Sequence, residues 1–198
     1  MMSRSVSATA AILMALVTTA CSRSPRVTFY TLAPDAKQVA PAPDQAAPSV
    51  FVGPVTLPEV IDRPQLVVRV NANRVELLES HRWAEPLKSE IPRLIAQNLG
   101  RLLGSDRVSS YRQHAGADAQ YRVLVDIVRF ESAPGEAVTV ETSWTIRRAP
   151  GGTPKTGHSL VREKVAEAGY DGLVAAYSRA LAGVSGDIAR AIREPEKP

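Results

Sequence analysis

The pattern of apolar and polar positions changes character several times along this chain. Ala8 to Val17 is an unbroken apolar run except for Thr9. After it, apolar residues come in short β-branched and aromatic bursts, the signature of strands. Val27 to Leu32 ("VTFYTL"), Phe51 to Leu57, Leu66 to Val70 and Val75 to Leu78 are the first four, the last two forming a hairpin that turns at Asn71 to Arg74. From Pro86 the period lengthens. Leu87, Ile91, Leu94, Ile95, Leu99, Leu102 and Leu103 fall at steps of three and four, which predicts an amphipathic helix over Pro86 to Leu103. Gly104 is a suitable stop, and Pro92 sits within or bends the first turns.

The second half returns to strands. A short one is expected near Val108 to Tyr111, then Tyr121 to Glu131 and Val138 to Arg147, joined by "SAPGE". Val138, Val140, Thr142, Trp144 and Ile146 alternate with polar neighbours, as in a half-buried strand. The turn "APGGT" leads to another strand around His158 to Ala166. Leu173, Tyr177, Leu181, Val184, Ile188 and Ile192 then make one stripe of a final helix, Tyr170 to Ile192, with Asp171 suited to its positive N-terminus. This order implies an α+β fold: a mixed, mainly antiparallel sheet with two amphipathic helices packed on one face. The first strand is expected to join that sheet. Between it and the body lies Ala33 to Pro48, sixteen residues with four prolines and six alanines, which reads as a semi-extended loop inside the domain.

The N-terminal run has a different purpose. Arg4 is the one charge before Cys21, and the apolar stretch is about ten residues long. It is too short for a transmembrane helix, which needs about 20, and describes a secretory signal peptide. Thr18-Thr19-Ala20-Cys21 resembles a bacterial lipobox, where small residues precede a cysteine that is acylated and becomes the new N-terminus. Thr18 stands where that motif usually has Leu. The alternative is an ordinary signal peptide with a cysteine nearby. Cys21 is the only cysteine, so no disulfide within the chain holds the fold.

Removing residues 1–20 leaves enough chain for one domain with a sizeable core. The formal charge of +4 is spread along the chain, with no basic run of the kind that marks nucleic-acid binding. His81, His114 and His158 share no metal-ligand spacing, so neither a metal nor another cofactor is expected. "GVSGD" (Gly183 to Asp187) imitates a nucleophile elbow but lies within the final helical pattern. "GGTPKTG" (Gly151 to Gly157) has the flavour of a phosphate loop without its spacing or its helix, and a hairpin turn explains it. No catalytic set assembles.

"HRWAEPL" (His81 to Leu87) is more informative. One reading is a helix entry: Trp83 packs on the sheet, Glu85 lies near the helix N-terminus, Pro86 presets the first turn, and Arg82 pairs with Glu85. The other is a partner surface around Asp62, Arg63, Arg82, Trp83 and Glu85, since Trp and Arg are favoured interface anchors.

At these residues the chain resembles a known family. "FYTL" (Phe29 to Leu32), "VGPVTLPEVIDRPQLVVR" (Val52 to Arg69) and "RWAEPLKSEIPRLIAQNL" (Arg82 to Leu99) are similar to the ABC-type transport auxiliary lipoproteins, the PqiC-like subunits of membrane-integrity transporters. Val60-Ile61 replaces the family's frequent aromatic-aliphatic pair. The resemblance implies a non-catalytic lipoprotein anchored through Cys21 in the outer membrane, facing the periplasm, with Ser22 as the outer-membrane sorting residue. It implies an MCE-domain protein of a lipid transporter as partner, and possible homo-oligomers. The implied organisation is a signal peptide (1–20), a lipid-anchored tether (21–26), the α+β domain (27–194, with loop 33–48 inside it) and a tail (195–198). The other function classes are a periplasmic chaperone for outer-membrane assembly and a periplasmic hydrolase.

Overall fold

The computed structural model describes residues 26–34, 46–110 and 119–195. Cys21 and Ser22, most of the Pro/Ala-rich loop, and His114 fall outside them. Among the described residues, eight strands and two helices follow in the order β1 (Thr28–Tyr30), β2 (Val50–Thr56), β3 (Gln65–Asn71), β4 (Arg74–Trp83), α1 (Leu87–Leu103), β5 (Val108–Ser110), β6 (Tyr121–Ala133), β7 (Ala137–Arg148), β8 (Lys155–Lys164) and α2 (Gly169–Arg193).

The strands form two sheets. A five-stranded sheet has the order β5-β2-β6-β7-β8, and a three-stranded one the order β1-β4-β3. The β6-β7-β8 meander and the β3-β4 hairpin are antiparallel, whereas β2 runs parallel to both neighbours. The alternation along β7 appears as expected, with Val138, Val140, Thr142, Trp144 and Ile146 all buried. β1 does not join the larger sheet. It pairs in parallel with the end of β4, Thr28 to His81 and Tyr30 to Trp83. There the Tyr30 hydroxyl lies 2.8 Å from Nδ1 of His81, and the apolar chain finds its cover without a place in the main sheet.

Both helices pack on one face of the larger sheet, α1 over β2 and β5, α2 over β7 and β8. They run in the same direction. Glu90 and Ser178 meet the same short segment after β1, Asn98 donates to Ser185, and Arg193 at the end of α2 donates to the carbonyl of Leu102 at the end of α1. α1 ends on Gly104 in the left-handed conformation (φ 65°), whose backbone amide closes onto the carbonyl of Arg101. Pro92 lies in the second turn, five residues after the first helical residue, and the helix continues through it. The layers meet at an aromatic cluster. Phe130 of β6 stacks on Tyr177 of α2, with centroids 3.9 Å apart and planes 5° from parallel, and Trp83 of β4 stands tilted to both. Such pairs add about 0.5–1.5 kcal/mol beyond the area they bury.

"FYTL" has a physical explanation in this arrangement. Tyr30 and Leu32 are buried while Phe29 points outward. The amide of Leu32 donates to Glu90 Oε1 at 2.9 Å, and that of Ala33 to Ser178 Oγ at 3.2 Å. One polar residue on each helix thereby holds the backbone that runs across them. Glu90 is only 1% exposed. Burial raises its carboxyl above the ordinary range, against the smaller opposing effects of the Leu32 amide and Arg93.

Two predictions follow from this packing. A Cβ on Gly157 would come within 2.1 Å of the Trp144 ring, whereas one on Gly186 in α2 meets nothing within 4 Å. Gly157→Ala should cost about 1–3 kcal/mol by overpacking, and Gly186→Ala should stabilise by about 0.5–1 kcal/mol, both read from urea unfolding. The raised Glu90 carboxyl sets a pH dependence. The fold favours the protonated form, so its contribution is complete below the ordinary carboxylate value of about 4.3 and is lost as pH rises through the raised folded value. Relative to Glu90→Gln, the wild type should lose stability as pH is raised across that window. Equal pH slopes for the two proteins would contradict this origin.

Candidate functional site

The corner singled out in the sequence is where three elements converge: the connection between β2 and β3, the end of β4 and the start of α1. The connection is a tight series of turns. Ile61 donates to the carbonyl of Pro58, Asp62 to that of Glu59 and Arg63 to that of Ile61. Ile61 is buried as its apolar plug. The Trp83 amide donates to the Pro64 carbonyl at 2.7 Å, and the Ala84 amide to that of Tyr30 at 2.8 Å, which ties the corner to β1.

Within this frame four of the five residues lie at the surface and one does not. Asp62 forms an ion pair with Lys88 on α1. The Arg63 guanidinium donates to the Glu59 carbonyl at 3.4 Å. Arg82 pairs with Glu79, and Glu85 pairs with Arg93 at 2.9 Å, so the expected Arg82–Glu85 pair is replaced by one within β4 and one from the turn before α1 to its second turn. The reason is geometric: β4 ends at Trp83 and the chain turns before α1, which separates the two side chains. Trp83 is 5% exposed, with its ring in the aromatic cluster. It therefore acts as the helix-entry reading expects and offers no ring to a partner.

Beside the corner runs an open groove of about 430 Å³, between the β3-β4 hairpin and the far half of β6. Val60, Val75 and Val128 form its exposed apolar rim, Val128 being 49% exposed. The Arg69–Glu131 ion pair crosses it. The sequence reading missed this groove because its wall comes from strands far apart in the chain. Alternation along β6 is its one local signal: Val128 is apolar at an outward position, in the register shift between Ile127 and Arg129 that moves the buried phase from Val125 and Ile127 to Phe130.

The remaining candidate chemistry separates. His81 lies against Tyr30 and Tyr170, while His158 shares a 3.0 Å contact with Glu141 on the neighbouring strand. That hydrogen bond, assisted by Arg129, holds the Glu141 carboxyl below the ordinary range. Among the described residues no three His, Cys, Asp or Glu side chains gather as metal ligands. Ser185 of "GVSGD" is buried in α2, donating to the Leu181 carbonyl at 2.8 Å. "GGTPKTG" spans the β7-β8 turn and the start of β8. Glu90, Asn98, Ser178 and Ser185 are buried polar residues between the helices and their neighbours. Each was visible as a polar residue in phase with an apolar helical stripe.

No described helix is long and apolar enough to cross a membrane. The fold has relatives among solved structures. One is a crystal structure of an uncharacterized protein, 20% identical, with a TM-score of 0.68, covering 84% of this chain and 99% of the other. Another is a Xanthomonas campestris protein of the DUF330 family, 17% identical, with a TM-score of 0.63, covering 82% and 93%. No curated protein matches the chain. The model of the ABC-type transport auxiliary lipoprotein component matches residues 30–189, from the buried Tyr30 to the last turns of α2, and the chain belongs to that family.

Proposed function

We propose that the protein is a non-catalytic, outer-membrane-anchored lipoprotein of an MCE-type ABC transport system that moves lipids across the periplasm and supports membrane integrity. The observation that carries this reading is the family match over residues 30–189, which makes the chain an auxiliary component of ABC-type transport. The ATPase and permease belong to other chains of such a system. The sequence ahead of the domain supplies the anchor: the signal peptide ends at residue 20, Cys21 is acylated, and Ser22 directs the protein to the outer membrane. Each acyl chain contributes about 0.8 kcal/mol per buried methylene, so several chains hold the protein on the bilayer. The domain spans residues 27–194 behind a tether of residues 21–26, with a tail of 195–198.

The partner is an MCE-domain periplasmic protein, or further copies of this chain. The surface assigned to it is the corner of Asp62, Arg63, Arg82 and Glu85, with Trp83 beneath as its support. Ion pairs at such exposed positions contribute little to folding, about 0–1 kcal/mol, so they can be reversed without unfolding the domain.

Cys21→Ser should leave the precursor unprocessed or release the protein from membranes. A normally processed, still-anchored variant would overturn the lipid anchor. Asp62→Lys combined with Glu85→Lys should lower the unfolding free energy, read from urea titration, by no more than about 2 kcal/mol and abolish recovery of the transporter's MCE protein in envelope pull-downs. Unchanged recovery would remove this corner as the partner surface. Recovery of barrel-assembly proteins in its place would favour the chaperone.

A further inference from the structure

The first strand is apolar on both of its sides. Inward, Tyr30 and Leu32 are buried in the core. Outward, Phe29 is 62% exposed, more than any other large hydrophobic side chain among the described residues. Val27, at the same phase of the alternation two positions earlier, is 41% exposed. The register sets Phe29 beside Arg82, Arg82 beside Gln65 and Val67 beside Leu77, so these side chains share the outer face of the smaller sheet. Leu77 is exposed there as well. A single exposed apolar residue is ordinary on any protein surface. Two of them on a strand of three residues, where the chain enters the domain, call for a physical reason.

The strand cannot roll to hide them. The Leu32 and Ala33 amides are held by Glu90 and Ser178, the Tyr30 hydroxyl lies 2.8 Å from Nδ1 of His81, and the Ala84 amide donates to the Tyr30 carbonyl. These contacts fix the inward side of β1 on both helices and on β4. Its outward side therefore keeps one direction relative to the body. Among the described residues β1 is also an edge strand, the last in the order β1-β4-β3.

The length of chain ahead of the strand says what lies opposite this side. Val27 stands six Cα steps after Cys21, a reach of about 21 Å when fully extended. The headgroup layer of a bilayer takes up about 5–7 Å of that. With Cys21 acylated, β1 enters the domain no more than about 15 Å above the headgroups. The charged residues from Ser22 to Arg26 are Arg23 and Arg26, both of a sign that anionic headgroups attract. A second copy of the chain is a poorer occupant. Val27 and Phe29 expose far less than the roughly 800 Å² that each partner buries in a standard protein interface. A bilayer needs no matching surface, and an anchored domain meets it at high effective concentration, so a small apolar contact is enough to orient it.

We infer that the outward side of β1 is a membrane-contact face: Val27 and Phe29 enter the boundary between headgroups and acyl chains of the anchoring bilayer and set which way the domain stands. The inference rests on the lipid-anchored reading. Only these side chains enter the boundary. The open backbone edge of β1 stays at the level of headgroups and water, because unpaired N–H and C=O groups are costly in hydrocarbon. Thr28 and Thr31, both exposed, supply hydroxyls at that level. Arg82, paired with Glu79, borders the face from β4, while Asp62 and Glu85 are held by Lys88 and Arg93 of α1. A partner at that corner thus meets the domain beside the bilayer.

The test uses the full lipoprotein reconstituted in vesicles of phosphatidylethanolamine and phosphatidylglycerol, with part of the lipid brominated high on its acyl chains. Phe29→Trp should shift its emission to the blue on reconstitution and be quenched by the brominated lipid. Leu160→Trp, at a side chain 59% exposed on the edge strand β8, should show only the wild-type background of Trp83 and Trp144. Each variant is first checked for a wild-type urea midpoint, and Val27→Trp takes the place of Phe29→Trp if that variant does not fold. In cells, a photo-crosslinking residue at position 29 should yield phospholipid adducts, and one at position 160 should not. An unquenched Trp at position 29, equal quenching at positions 29 and 160, or adducts at position 29 only to a protein or to a second copy would each overturn the proposal. If Cys21→Ser leaves the protein anchored, the lipid-anchored reading falls and takes the membrane face with it. If Cys21→Ser releases the protein while position 29 stays in water, the membrane face falls alone.

Discussion

The stack of Phe130 on Tyr177, with Trp83 standing beside it, is the contact on which the rest of the domain depends. Each ring belongs to a different layer: Phe130 to the larger sheet, Tyr177 to α2 and Trp83 to the smaller sheet. Around it, the Arg69–Glu131 pair, the contact of His81 with Tyr170 and the Leu32 and Ala33 amides held by Glu90 and Ser178 complete the join between the smaller sheet and the body. Burial has a chemical consequence as well. It pushes the Tyr177 phenol far above its ordinary range, so this ring stays neutral at any pH the domain meets. Fixing Trp83 also fixes the end of β4, and with it the start of α1 and the pairing strand for β1.

Local pattern made most of this legible. The α1 stripe from Leu87 to Leu103 and the α2 stripe from Leu173 to Ile192 each bury their predicted face. The β7 alternation and the Asn71–Arg74 hairpin turn were equally readable, because each depends on neighbours within a few residues. Pairings between distant segments were not. Nothing in "VTFYTL" distinguishes a strand of the main sheet from one that pairs with His81 to Trp83, more than fifty residues later. A single sheet was therefore expected where there are two.

The surface was harder to read than the core. Trp83 carried a signal for two opposite environments, since an aromatic before a helix can pack inward or anchor a partner. Only the position of Phe130 and Tyr177 resolves which. Glu90 shows the opposite case. A carboxylate in phase with Leu87, Ile91 and Leu94 stands out in the sequence, and the structure supplies its reason in the Leu32 amide.

The parallel pairing of β1 with β4 has a mechanical meaning. A pull between the chain's entry near Arg26 and the far ends of the helices acts along β1. The Thr28–His81, Phe29–Arg82 and Tyr30–Trp83 positions then bear that pull together, in shear. They are not peeled apart one after another. Behind them the Leu32 and Ala33 amides are pinned to two separate helices, so tension passes into the body of the domain and not into a fraying end. Three residues of strand thus form a clamp, and a chain loaded at its N-terminus can transmit force without first losing its fold.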